Sequence, residues 1–129
     1  MPATEKAIEL AHAAAAAAAE VNAEEIIAID VADRLALTDV FLVASAASER
    51  QVRGVVDRIE DNLRRDFGIS ALRREGYEDL RWVLVDFGDI VVHVQHTEDR
   101  EFYDLERLWK DCEFIELPEV EQPDVEVNK

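Results

Sequence analysis

The chain is poor in the residues that mark disulfide-bonded, phosphate-binding and membrane proteins. It has one cysteine, Cys112, in 129 residues, which excludes an internal disulfide and is typical of a reducing compartment. Its four glycines are scattered, so the sequence contains no glycine-rich phosphate loop. The alanine run at 13–19 is too short and too weakly apolar to span a membrane or to resemble a secretory signal. These absences predict a cytoplasmic protein with no membrane partner.

Basic residues are scarce as well. The sequence has 14 Lys and Arg against 30 Asp and Glu, so its formal net charge is −16 at pH 7. Nucleic acids and anionic membranes attract cationic surfaces, and this charge therefore disfavours direct recognition of either. Any charged partner is expected to be basic, and ribosomal proteins belong to that class. The alternative interpretation is that the acidity serves only solubility.

Helix and strand patterns fill most of the chain. Capping signals at Thr4, Ser48 and Thr97 predict three helices, and Gly68 is suited to end the second one. Short apolar runs predict strands over 25–31, 40–45 and 69–75, followed by a hairpin. The order α-β-β-α-β-β-β-α predicts an α/β fold in which helices pack on a mixed five-stranded sheet. The crossover from the second strand through the second helix should join parallel neighbours.

Two segments of different composition divide the chain. Residues 1–116 predict a single α/β domain, since the apolar periodicity extends through them without a linker. Residues 117–129 hold two prolines and a run of acids, and they predict a disordered acidic tail.

The hairpin at 82–93 is the most informative segment. A two-residue Phe87-Gly88 turn would pair residue 85 with 90, 84 with 91, 83 with 92 and 82 with 93. Because side chains alternate along a strand, 83, 85, 90 and 92 would share a core face. The opposite face would carry Trp82 and aliphatic side chains, edged by two acids and His93. Such a face is either a second core layer or a surface for another macromolecule.

Catalytic chemistry is the competing interpretation. Asp30 with Asp33, or Asp86 with Asp89, could hold a divalent metal, as paired carboxylates do in nucleotidyltransferases. Neither pair has the i, i+2 spacing of those enzymes. His93 beside Asp86 or Asp89 is interpreted as a satisfied surface pair. The carboxylate pairs nevertheless leave one alternative function open, a divalent-metal nucleotidyltransferase or a nucleotide-binding enzyme.

Taken from end to end, the chain resembles the ribosomal silencing factor family, also called the Iojap-related family. The resemblance spans roughly residues 5 to 113. The segments that carry it are TDVFLV at 38–43, SERQV at 48–52, EG at 75–76, the hairpin at 82–93 and REFYDLERLW at 100–109. One departure is Ala46, where the family usually places a glycine.

The resemblance implies a translation factor with a nucleotidyltransferase-like fold and no active site, catalytic residue or cofactor. Such proteins bind the large ribosomal subunit through its L-series protein fourteen and sterically block joining of the small subunit. Family members are also described as dimers, so a homodimer is possible. An assembly factor that binds large-subunit precursors through the same face is a further alternative.

We expect the partner-binding surface on the second face of the hairpin. Trp82 and Leu84 would supply its apolar centre. The candidate acids that would meet lysine or arginine of the partner are Asp86, Asp89 and Glu75, with Tyr77 as an adjoining contact. The alternative is that a helix covers this face and makes Trp82 part of the core. On the last helix, Phe102, Leu105, Leu108 and Trp109 are expected to form an apolar packing stripe.

Overall fold

Local capping chemistry sets where the long helices begin and end. The computed structural model describes residues 2–118 and residue 120. Helix α1 (Glu5–Glu20) begins after Thr4, whose Oγ1 accepts a hydrogen bond from the Ala7 N–H at 3.1 Å. Helix α2 (Glu49–Phe67) begins after Ser48, whose Oγ accepts from the Gln51 N–H at 3.1 Å, and it ends at Gly68 with φ +70°. Both predicted caps and the glycine terminator are confirmed.

The strands form one mixed sheet. In chain order they are β1 (Glu24–Asp30), β2 (Val40–Ala46), β3 (Arg73–Glu75), β4 (Trp82–Asp86), β5 (Ile90–His96) and β6 (Phe114–Ile115). Their order across the sheet is β3-β4-β5-β2-β1-β6, and β2 and β5 are the parallel pair. A mixed α/β fold is thus confirmed, but the described sheet has six strands where five were predicted. The sixth has only two residues, which is too short to produce a sequence period.

The crossover through α2 does not join neighbouring strands, so that prediction is wrong. Strand β3 lies at the sheet edge and pairs with β4, whereas the parallel neighbour of β2 is β5. The β4–β5 hairpin occupies the positions between them. Strand β3 is also limited to three residues of the predicted seven, and Leu72 just before it is exposed.

The hairpin register differs from the prediction by two residues. The structure pairs Val85 with Val92 and Leu84 with His93. The Phe87 N–H donates to the Ile90 carbonyl at 2.9 Å, so the two-residue turn is Gly88-Asp89. Because the shift is an even number, every strand residue stays on its predicted face.

The two faces of the sheet are covered unequally. Helices α1 and α2 pack on one face, where Leu42, Val83, Val85 and Val92 join a large core that includes the small alanine side chains of α1. The opposite face carries a smaller apolar cluster and is crossed by helix α3 (Thr97–Tyr103) and a 3-10 helix (Leu105–Trp109). This second face is therefore the less completely covered one.

The predicted tail begins in ordered structure. Leu117 is buried, and its carbonyl accepts a hydrogen bond from the Val120 N–H at 3.0 Å. The remainder of the predicted tail, at 119 and 121–129, lies outside the described residues. Across 2–118, no helix has the length and apolar character needed to cross a membrane.

Two glycine substitutions should change stability in opposite directions. Gly76 has φ +83°, and a Cβ atom there would lie 2.1 Å from the Trp82 carbonyl oxygen. Gly76→Ala should therefore lower the free energy of unfolding by more than about 1 kcal/mol. Gly54→Ala, in open space on α2, should raise it by about 0.5–1 kcal/mol. Urea unfolding of the two variants measures both effects. Changes of the same sign in the free energy of unfolding would contradict the expectation.

Candidate functional site

Four of the six predicted contact residues share the second face of the sheet. Trp82, Leu84 and Asp86 alternate along β4 and point to the same side. On β3, Glu75 is the register partner of Leu84, and cross-strand partners lie on one face. The structure therefore brings Glu75, Trp82, Leu84 and Asp86 together, and we call these four residues the β4 surface.

The apolar centre of the β4 surface is half-buried. Trp82 and Leu84 pack at the edge of the smaller apolar cluster, and part of each side chain remains accessible. The buried members of that cluster are Ile29, Val31, Phe41, Val43, Val91 and Leu105. Trp82 thus has a packing role on one side and an accessible side that can contact another molecule.

His93 holds Trp82 in place from beneath. Trp82 Nε1 donates a hydrogen bond to His93 Nδ1 at 3.1 Å, and the imidazole is also in edge contact with Phe41. Burial lowers the pKa of His93 to about 4. The expectation that His93 forms a surface pair with Asp86 or Asp89 is wrong, because β5 is a central strand and His93 is buried there.

The acids of the surface differ in their local bonds. Glu75 is exposed and forms an ion pair with Arg73. Asp86 Oδ1 accepts from the Gly88 N–H at 2.8 Å, and Asp86 Oδ2 lies 3.5 Å from Arg73 Nε. Asp89 lies in the turn, where its carbonyl accepts from the Asp39 N–H at 2.9 Å. Glu75 is therefore the most accessible of the acids on the β4 surface.

Tyr77 lies apart from the β4 surface. Its hydroxyl donates to Asp57 Oδ1 on α2 at 2.8 Å, and the Arg74 guanidinium lies 4.0 Å from its ring centre. The ring packs against the helix-covered core. Tyr77 follows β3 in a loop, so strand alternation does not determine its side.

One carboxylate of each pair in the enzyme interpretation, Asp30 and Asp86, makes structural bonds. Asp30 accepts hydrogen bonds from the N–H groups of Ala3 and Ala32, at 3.0 and 3.1 Å. Asp86 closes the hairpin turn, as described above. Within residues 2–118 and 120, no group of three or more His, Cys, Asp and Glu side chains could hold a metal ion.

The prediction of a continuous apolar stripe on the last helix is wrong. Helix α3 ends at Tyr103, and Asp104 adopts a left-handed conformation with φ 49° before the 3-10 helix begins. The 3.6-residue period does not continue across this break. Leu105 is buried and Trp109 packs against Phe41, as expected, but Phe102 is 80% exposed and Leu108 is 68% exposed. The helix cap also differs by one position, because His96 Nδ1 accepts from the Glu98 N–H.

Comparison with known proteins agrees with this fold. A family model described as "Ribosomal silencing factor during starvation" matches residues 4–129. The chain belongs to the ribosomal silencing factor family. The resemblance noted from the segments at 38–109 is thereby confirmed.

Individual relatives and a solved structure are similar to this chain over most of its length. "Ribosomal silencing factor RsfS" of Bacillus subtilis is 40% identical over 104 residues, covering 81% of this chain and 87% of the relative. A crystal structure of a Chromobacterium violaceum protein is 30% identical with a TM-score of 0.76, covering 94% of this chain and 92% of that one. "Mitochondrial assembly of ribosomal large subunit protein 1" of Mus musculus is 33% identical over 93 residues, covering 68% of this chain and 40% of the relative.

Burial of His93 should make the fold sensitive to mild acid. The pKa of His93 is about 4 in the folded chain against 6.5 for an unperturbed histidine. The unfolded chain therefore binds the proton first, and stability should fall as the pH drops from about 6.5 toward 4. From pH 7 to pH 5 this group should remove about 2 kcal/mol from the free energy of unfolding.

Urea unfolding at pH 7 and pH 5 tests this expectation. His93→Asn should remove about 2 kcal/mol of the pH dependence, because it removes the group that titrates. His12→Asn is the matched control, because it also removes a histidine but one that lies on α1, away from this face. If the wild type and His93→Asn lose the same free energy of unfolding between pH 7 and pH 5, the expectation is contradicted.

Proposed function

We propose that this chain represses translation by binding the large ribosomal subunit through its L-series protein fourteen and sterically blocking the small subunit. The family description and the name of the mouse relative, which refers to assembly of the large subunit, support a large-subunit partner. The mechanism requires a surface that binds and a body that obstructs. It requires no catalytic residue and no cofactor, so we propose that the chain is not an enzyme.

The observation that carries the proposal is the β4 surface. It combines an accessible aromatic side chain, Trp82, with the neighbouring aliphatic Leu84 and the exposed acid Glu75. Aromatic anchors surrounded by polar groups are typical of the energetic centre of protein interfaces. The sheet gives this surface a rigid support, so little conformational entropy is lost on binding.

Charge supports a basic protein as the partner. The chain carries a net charge of −16, and opposite charge on a partner would raise the association rate and help to orient the encounter. Binding should weaken as salt rises, because exposed charges are screened. We propose a cytoplasmic location, which is compatible with this function. The possible homodimer stays a prediction. Sedimentation velocity would measure the oligomeric state.

Co-sedimentation tests the proposed function directly. Purified protein is mixed with free large subunits, free small subunits or joined ribosomes, and pelleted at low and high salt. Pelleting with free large subunits alone, and fewer joined ribosomes as protein is added, is the expected result. A chain that pellets with no particle at low salt would contradict the proposal. Magnesium-dependent nucleotide binding would then favour the enzyme interpretation.

A charge reversal tests the β4 surface. Glu75→Lys should weaken binding to large subunits about tenfold, because it places a like charge against a basic partner. Glu9→Lys is the matched control: it makes the same change in net charge, but Glu9 is exposed on α1, which packs on the opposite face of the sheet. Equal weakening by both substitutions would mean that net charge, and not this surface, controls binding.

A further inference from the structure

The segment after β5 exposes three large apolar side chains. Phe102 is 80% exposed, Leu108 is 68% exposed and Tyr103 is 52% exposed. They lie within one short stretch on α3 and the following 3-10 helix, and we call them the apolar arm. Large apolar side chains that are exposed together in this way commonly mark an interaction surface.

Two side chains of the apolar arm, Phe102 and Tyr103, continue the β4 surface. The ring centres of Trp82 and Tyr103 are 5.1 Å apart, and those of Tyr103 and Phe102 are 5.0 Å apart. Tyr103 therefore bridges the half-buried Trp82 and the exposed Phe102. One partner molecule can contact all three rings.

Buried polar bonds hold the apolar arm in place. Arg100 is buried on α3, and it donates to Glu106 Oε2 at 2.9 Å and to Ser45 Oγ on β2 at 3.2 Å. These bonds join α3, the 3-10 helix and the central sheet. Arg81 adds ion pairs to Glu98 and Asp99 in the first turn of α3. The exposed side chains are thus displayed from a fixed backbone, which lowers the entropy cost of binding.

The charges around the apolar arm select its partner. Exposed acids Glu98, Glu101 and Asp104 lie around Phe102 and Tyr103, and the exposed bases Arg107 and Lys110 lie near Leu108. The acids around the two rings would repel RNA phosphates, and a second copy of the chain would place the same acids against them. We propose that the apolar arm binds a basic protein segment of the large subunit that carries apolar side chains, and that it forms the second half of the docking surface. This proposal rests on the proposed function.

The first test removes apolar side chains from the arm. The double variant Phe102→Ala, Leu108→Ala should lose at least tenfold in affinity for free large subunits in co-sedimentation and keep the wild-type thermal midpoint. Leu37→Ala is the matched control. Leu37 is 89% exposed and lies in the loop before β2, at the opposite end of the strands from α3. It should bind as the wild type does.

The second test identifies what occupies the apolar arm. The photo-crosslinking substitution Phe102→p-benzoylphenylalanine is irradiated on isolated large subunits, and the products are separated into protein and RNA. A crosslink to a basic ribosomal protein supports the proposal. A crosslink confined to ribosomal RNA, or to a second copy of this chain, would overturn it.

The outcomes separate this proposal from the proposed function. If wild-type protein binds large subunits and the double variant binds equally well, the apolar arm has no role in docking and only this proposal fails. If wild-type protein binds no particle, the proposed function fails and this proposal fails with it.

Discussion

The parallel pairing of β2 with β5 is the constraint on which the rest of the structure depends. Seven residue pairs, from Val40 with Ile90 to Ala46 with His96, join two strands that are buried along their whole length. Parallel strands need both faces covered, because they leave no polar side to face water. The helices α1 and α2 cover one face. The other face is covered only by short elements, and this difference leaves the β4 surface and the apolar arm accessible.

The same pairing links stability to the candidate surface. His93 is opposite Val43 in the central ladder and opposite Leu84 in the hairpin, so its position is set from both sides. It accepts the hydrogen bond that orients Trp82, and its low pKa follows from the burial that this position imposes. The partly exposed ring of Trp82 is therefore oriented by His93, which is buried in the core. Substitutions of Trp82 must be interpreted with this coupling in mind, because Trp82→Ala would leave a buried nitrogen without its donor.

Local signals in the sequence were sufficient for much of the fold. The caps at Thr4 and Ser48 and the terminator Gly68 act within a few residues, so they can be recognised without knowing the tertiary structure. The two faces of the hairpin were also predictable, because a register error of two residues preserves alternation. The parallel neighbour of β2 and the strand β6 were not predictable in this way. Both depend on pairing between segments that are distant in the chain.

The sequence by itself determined the acidic character of the chain, its main helices and strands, its family and the side of the sheet on which Trp82 and Leu84 lie. These properties depend on composition, on local bonds and on a period of two or 3.6 residues. Only the tertiary structure decided that Tyr77 turns to the helix-covered face, that His93 is buried and that Phe102 and Leu108 are exposed. The physical reason is that a side chain is covered or accessible according to which distant segments pack over it. The left-handed Asp104 further breaks the helical period that would have hidden the apolar arm.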